Sequence, residues 1–141
     1  MRLWHKDLIP ALPRQQLLGQ WRECCLIAKN IAETGTPNHL LVNRILEYEP
    51  KHFYNYIRLV CDEMQRRGYK VNASAPQHWL DQITDGRHDW MKQSDIFNDW
   101  HDDEYMRICY YNLKEKFMCG GMTPAEWDVV EYFVRTGWDL E

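Results

Sequence analysis

Residues 13–33 read PRQQLLGQWRECCLIAKNIAE, and the periodicity of this stretch decides the fold. Pro13 suits a first helical turn, where a missing N–H removes a donor that has no helical partner anyway. From there Leu17, Trp21, Cys24, Ala28 and Ile31 recur at steps of four and three, forming one apolar stripe that stops near Gly35. The spacing predicts a helix over 13–33. On its other side Gln15, Gly19 and Arg22 line up at i, i+4 and i+7, and Gln16, Gln20 and Glu23 form the adjacent row. These two rows are expected to make one polar face with a gap at its centre. Glycine inside a helix costs about 1 kcal/mol relative to alanine, so Gly19 marks a place where another segment or a ligand comes close to the backbone. Spacing alone leaves two readings open: a solvated amphipathic helix and a functional face.

The flanking sequence is punctuated for helices as well. Pro37 and Asn38 open a short helical stretch through Leu46, and Pro50 begins a helix in which Phe53, Ile57, Val60 and Met64 share a face. Arg66, Arg67 and Gly68 supply a basic last turn and a glycine stop. Residues 70–92 read as loop with one helical turn around His78 to Ile83, and Ser94 is expected to cap a long helix ending at Gly120-Gly121. Thr123-Pro124-Ala125-Glu126 places a capping threonine, a first-turn proline and an N3 glutamate in order before Trp127, Val130 and Val134. No repeat or low-complexity segment interrupts the pattern. The expected architecture is all-α, one bundle of about five helices spanning residues 1–141.

The bulk composition is that of a globular domain, with 45% hydrophobic and 27% charged residues. Seven Trp and eight Tyr are expected mainly in the core, with base or sugar stacking as the functional alternative. The formal charge of −4 argues against an extended nucleic-acid surface, which works by neutralising phosphates. Basic residues nonetheless concentrate in 1–70, and acids crowd 81–104 and 126–141, so a polyanion is expected to meet the N-terminal half. The first residues lack the apolar stretch of a signal peptide, and no run approaches the roughly 20 apolar residues of a spanning helix. No membrane association and a cytoplasmic location are expected. The cysteines at 24, 25, 61, 109 and 119 form no C-x-x-C pair and read as free thiols.

A second cluster, His88 with Asp99, Asp102 and Asp103, offers oxygen and imidazole ligands of the kind that hold Mg²⁺ or Mn²⁺ in a nuclease. It completes no spacing motif, and a solvated acidic helix start explains the same residues. The chain is therefore read without a metal site.

The segment Arg14-Gln15-Gln16-Leu17-Leu18-Gly19-Gln20-Trp21-Arg22-Glu23, after the short lead Met1-Arg2-Leu3-Trp4-His5, resembles the pyrimidine-dimer DNA glycosylase family, whose type is the phage endonuclease V. Glu63, Arg66, Arg67, Gly68 and Tyr69 match that family's helix-ending pattern, and Leu113-Lys114-Glu115-Lys116 carries a weaker match. The resemblance implies a compact endonuclease V-like all-α domain whose N-terminal segment reaches the active site, acting without a cofactor, as a monomer, on damaged double-stranded DNA. It further implies that the N-terminal α-amine attacks C1′ of the damaged nucleotide, displaces the base and leaves an imine, with strand cleavage by β-elimination. An α-amine suits this work because its ordinary pKa of roughly 7.7–8.0 leaves far more neutral amine near pH 7 than a lysine near 10.4.

By the same resemblance Glu23 is the catalytic carboxylate, Arg22 and Gln15 contact DNA near the lesion, Arg2 is the second N-terminal arginine, and Lys116 is a basic residue near the site. The bulky Arg2 is expected to hinder removal of the initiator, so that Met1 is retained and its amine is the nucleophile; Arg2 as a processed terminus is the alternative. Gln16, Leu26 and the acidic C-terminal helix depart from the family pattern, and these departures bear on lesion specificity more than on lyase chemistry. Two other readings remain: a non-catalytic DNA-binding or protein-interaction domain on the same scaffold, and the metal-dependent nuclease of residues 88–104.

Overall fold

Helix α1 spans Arg14–Thr34 and forms where the apolar stripe places it. Leu17, Cys24, Ile27 and Ala28 are buried along it, and Gly35, at φ 80°, ends it by donating its N–H to the Ile31 carbonyl at 2.9 Å. The computed structural model describes residues 1–140, and no strand occurs among them. Four more α-helices follow: α2 (Pro50–Arg66), α3 (Gln77–Thr84), α4 (Asp103–Met118) and α5 (Pro124–Gly137). Short 3₁₀ helices cover Lys6–Ala11, Asn43–Glu47 and Gln93–Asp95. None of these helices is long and apolar enough to cross a membrane.

Helix α1 packs on α2 and α3, while the Lys6–Ala11 turn is held between α2 and α5. Burial of Phe53, Ile57, Val60 and Met64 on one face of α2 follows the predicted spacing. Its basic last turn has an internal use. The buried Glu63 accepts from Arg66 Nε at 2.9 Å and from Arg67 Nε at 2.7 Å, and Arg67 goes on to the Pro10 carbonyl at 3.1 Å. Burial would raise the Glu63 pKa, but the two guanidiniums outweigh it and hold the carboxyl below its ordinary value. The capping box of α5 forms as its sequence implies, with Thr123 and Glu126 each taking the other's backbone N–H.

Three local expectations are corrected. The long helix from Ser94 does not form; α4 starts at Asp103 and ends at Met118, with the Asp102 side chain accepting the Tyr105 N–H at 2.9 Å. The backbone groups such a helix needs are taken by distant side chains. Lys6 Nζ donates to the carbonyls of Ser94 (3.0 Å) and Ile96 (2.6 Å), His52 Nδ1 accepts from Phe97 N–H (3.0 Å), and Phe97 turns the chain at φ 48°. Residues 37–46 form turns and the Asn43–Glu47 3₁₀ helix, because Asn38 sits at φ 55° and the Asn43 side chain takes the His39 N–H. The single turn expected around 78–83 is instead the eight-residue α3, tied to α1 by Gln82 Nε2 donating to the Ala32 carbonyl at 3.1 Å.

Candidate DNA-processing groove

The first turns of α1 form the floor of an open groove of about 500 Å³, lined by Trp4, Gln15, Gln16, Leu18, Gly19, Gln20, Arg22, Glu23 and Lys116. Spacing along one helix accounts for most of these side chains, and Lys116 joins them from the last turn of α4. Gln15, Arg22, Glu23 and Lys116 are thus brought together. Among the described residues none of the four engages another side chain by hydrogen bond or ion pair, although Glu23 is half-buried. Two unpaired cations and one unpaired carboxylate leave the groove with a positive balance, a composition that attracts phosphate while keeping a general acid–base group at hand.

Gly19 has room around it. A Cβ placed there would meet only the Arg22 guanidinium, at 3.9 Å. No neighbouring helix is seated on this glycine, so the notch opens to the groove and not to the core.

Gln20 is corrected from the polar face to the buried one. It is 1% exposed and lies between Leu17 and Cys24 on the face that α1 turns inward. Its Oε1 accepts the Trp4 N–H at 2.7 Å, and its Nε2 donates to the Arg2 carbonyl at 3.1 Å. The Tyr56 hydroxyl from α2 donates to the Trp4 carbonyl at 2.5 Å, and the Tyr105 hydroxyl from α4 donates to the Leu3 carbonyl at 2.5 Å. Burial pushes both phenol pKa values up, so each hydroxyl stays protonated and remains a donor across the working pH range. Residues 2–4 are tethered in this way, with Leu3 in the core and Trp4 in the groove wall.

Met1 packs half-buried against the core, and Arg2 lines a second groove with Leu40, Leu41, Arg44, Trp100 and Tyr105. The Arg2 guanidinium lies 5.6 Å from the Trp4 ring centroid, and the two residues line different grooves. Trp21 and Tyr54 pack half-buried against the core, Tyr54 stacking on His88 at 5.2 Å. Tyr56 and Tyr105 were missed in the sequence because a hydroxyl that reaches across 52 or 102 residues leaves no local pattern.

The ligands of the expected metal alternative are dispersed into structural contacts. His88 pairs with Asp81 at 2.7 Å, Asp99 accepts from the Tyr48 hydroxyl, and Asp102 caps α4. Among the described residues no group of three or more His, Cys, Asp or Glu is placed to share an ion. All five cysteines are free, with only Cys119 exposed.

Residues 1–77, more than half of the chain, match the family profile described as pyrimidine dimer DNA glycosylase. No curated protein and no solved structure matches the chain.

Proposed function

The chain belongs to the pyrimidine dimer DNA glycosylase family, enzymes of DNA repair, and from that membership we propose that it excises a damaged base by covalent catalysis and then cleaves the strand as an abasic-site lyase. The nucleophile in this reading is the α-amine of Met1. Its nitrogen lone pair bonds to C1′ as the glycosidic bond breaks and the base departs with the bonding pair. The nitrogen then sheds a proton and regains its lone pair, which forms the imine as the C1′–O4′ bond breaks and a proton is delivered to O4′. Loss of a proton from C2′ then expels the 3′ phosphate, and water hydrolyses the imine to free the enzyme.

Glu23 is assigned the proton transfers at O4′ and C2′, Arg22 and Lys116 the flanking phosphates, and Gln15 a polar contact to the lesion strand. Arg2, from the second groove, is assigned a phosphate on the other side of the N-terminal segment. The single observation supporting this reading is that an unpaired Glu23 shares one groove with Gln15, Arg22 and Lys116, and with Trp4 of the tethered N-terminal segment.

Borohydride trapping with abasic-site DNA and with a panel of base lesions tests the proposal. A covalent protein–DNA adduct that maps to the first residue is the expected result, and the panel reports which lesion is removed. Failure to trap on abasic DNA, or an adduct mapping to a lysine, would overturn the assignment of the amine. Residues added before Met1 are expected to abolish trapping, and the mass of the untagged terminus decides between Met1 and Arg2.

A further inference from the structure

Three consecutive residues before the first helical turn have backbone groups satisfied by side chains alone. Arg2 O, Leu3 O, Trp4 N–H and Trp4 O go to Gln20, Tyr105, Gln20 and Tyr56 respectively. Leu3 and Trp4 are buried, so their three groups would otherwise be desolvated without a partner. Gln20 is itself oriented. Its Oε1 must face the Trp4 N–H, which can only donate, and its Nε2 the Arg2 carbonyl, which can only accept, so a flipped amide would set donor against donor and acceptor against acceptor. The register is also fixed by alternation, since a slip of one residue would exchange the fully buried Leu3 for Arg2 or Trp4.

We propose that Gln20, with Tyr56 and Tyr105, is a positioning set that fixes where the N-terminal amine emerges relative to Glu23. The inference rests on the amine reading above. Its physical core is that Gln20 and Glu23 stand three residues apart on the same helix, about 4.5 Å along its axis. The residue holding the segment and the carboxylate that serves the reaction therefore move as one body. With Met1 retained as the terminus, as that reading has it, grip on residues 2–4 leaves a single residue ahead of the tethered backbone, which limits how far the amine can move. Placing a reactant within about 1 Å of its reacting geometry is worth on the order of 100-fold in rate, and that is the contribution assigned to the tether.

The test uses the full chain and three substitutions. Gln20→Leu removes both of its bonds to the segment, Tyr105→Phe removes only the bond to Leu3, and Gln20→Glu keeps the acceptor for the Trp4 N–H while losing the donor to Arg2. For each protein the single-turnover rate of borohydride trapping is measured at saturating abasic-site DNA, and Kd on a tetrahydrofuran abasic analogue. Alkylation of the α-amine by propionaldehyde with cyanoborohydride, and hydrogen exchange of the N-terminal peptide, report the amine's own reactivity and its tethering.

Trapping is expected to slow by about 100-fold in Gln20→Leu and about 10-fold in Tyr105→Phe, with Gln20→Glu between them and the wild type. Kd is expected to change by less than about 3-fold, propionaldehyde labelling to be undiminished, and exchange of residues 2–4 to accelerate. That combination separates lost positioning from a lost nucleophile or a lost fold. Wild-type trapping rates alongside faster exchange would overturn the positioning role alone. A wild-type protein that labels with propionaldehyde but never traps DNA would overturn the amine chemistry and the role together. Should Gln20→Leu not fold, Tyr105→Phe and Gln20→Glu carry the same decision.

Discussion

The carboxylate of Glu126 accepts the backbone N–H of Arg14 at 2.8 Å, so a residue of α5 caps the helix that carries the groove. Its other oxygen closes the capping box of α5 by accepting the Thr123 N–H at 3.0 Å. Helix α1 has no side-chain cap of its own, because Pro13 holds the N-cap position. A C-terminal helix outside the family match therefore completes the start of the site helix.

Glu126→Ala is accordingly expected to lower stability by about 1–2 kcal/mol, the worth of one to two caps. Hydrogen bonds from the Thr123 and Arg14 amides hold the Glu126 pKa below its ordinary value. A depressed folded pKa means that the contribution is present above about pH 4.5 and is lost as pH falls through the folded value. Urea unfolding of Glu126→Ala and the wild type at pH 7 and pH 3 checks this: the difference between them should shrink at the lower pH.

The groove floor was legible in the sequence, because Gln15, Gly19, Arg22 and Glu23 follow from helical spacing within one segment. Gln20 was also within reach. Leu17, Gln20, Cys24 and Ile27 run at steps of three, four and three, and the intervening glutamine sits on the inward face despite its polarity. What spacing could not supply was competition from afar. Residues 94–101 have local helical signals, yet Lys6 and His52, distant in sequence, take the backbone groups that a helix would use. Lys6 also shows why counting charges misleads, since its ammonium is spent on buried carbonyls and is withdrawn from any polyanion.

Gly19→Ala separates a structural glycine from a functional one. A methyl group there meets nothing closer than 3.9 Å, so the folded protein should be stabilised by about 1 kcal/mol through helix propensity. If DNA approaches the backbone at this notch, affinity for abasic-site DNA should fall at the same time. Thermal unfolding and DNA titration on the same variant give the two readouts, and unchanged affinity would remove DNA from the notch.

His5 and His101 set the acid limit of the fold. The Nδ1 of His5 accepts the Asp7 N–H at 3.1 Å, and the Nδ1 of His101 accepts the Lys6 N–H at 2.9 Å, so each ring is used in its neutral form. Burial lowers both pKa values, most strongly at His101, where charge on neighbouring His5 and Lys6 adds to it. The unfolded chain then takes up protons near pH 6.5 while the folded chain resists them. Stability should be full above about pH 7 and fall as pH drops below about 6.5, by at most about 1.4 kcal/mol per pH unit for each such histidine. Urea midpoints from pH 8 to pH 5 measure the slope, and a flat profile would contradict this assignment.

Arg22 and Lys116 are expected to bind phosphate, which ties the effect of removing them to ionic strength. Arg22→Gln or Lys116→Gln should each weaken binding to an uncleavable abasic analogue and reduce the magnitude of the log K against log salt slope by about 0.9 for each phosphate no longer neutralised. Titration between about 50 and 200 mM salt checks it, and an unchanged slope would place either residue away from the DNA backbone.

Glu23→Gln keeps the size and shape of the side chain while removing its negative charge and its ability to exchange a proton. Because no ion pair or side-chain hydrogen bond depends on Glu23 among the described residues, the substitution should leave the fold close to wild type, and loss of a negative charge in the groove should leave DNA affinity unchanged or slightly tighter. Strand cleavage should fall by about 100-fold or more, the range typical of a general acid–base group. The division between the two steps is the informative part. If the carboxylate serves chiefly at C2′, borohydride trapping will survive while β-elimination is lost, since imine formation precedes the C2′ proton transfer. If it serves chiefly at O4′, trapping and cleavage will fall together. Near-wild-type cleavage would return Glu23 to an ordinary half-buried carboxylate on a helix face.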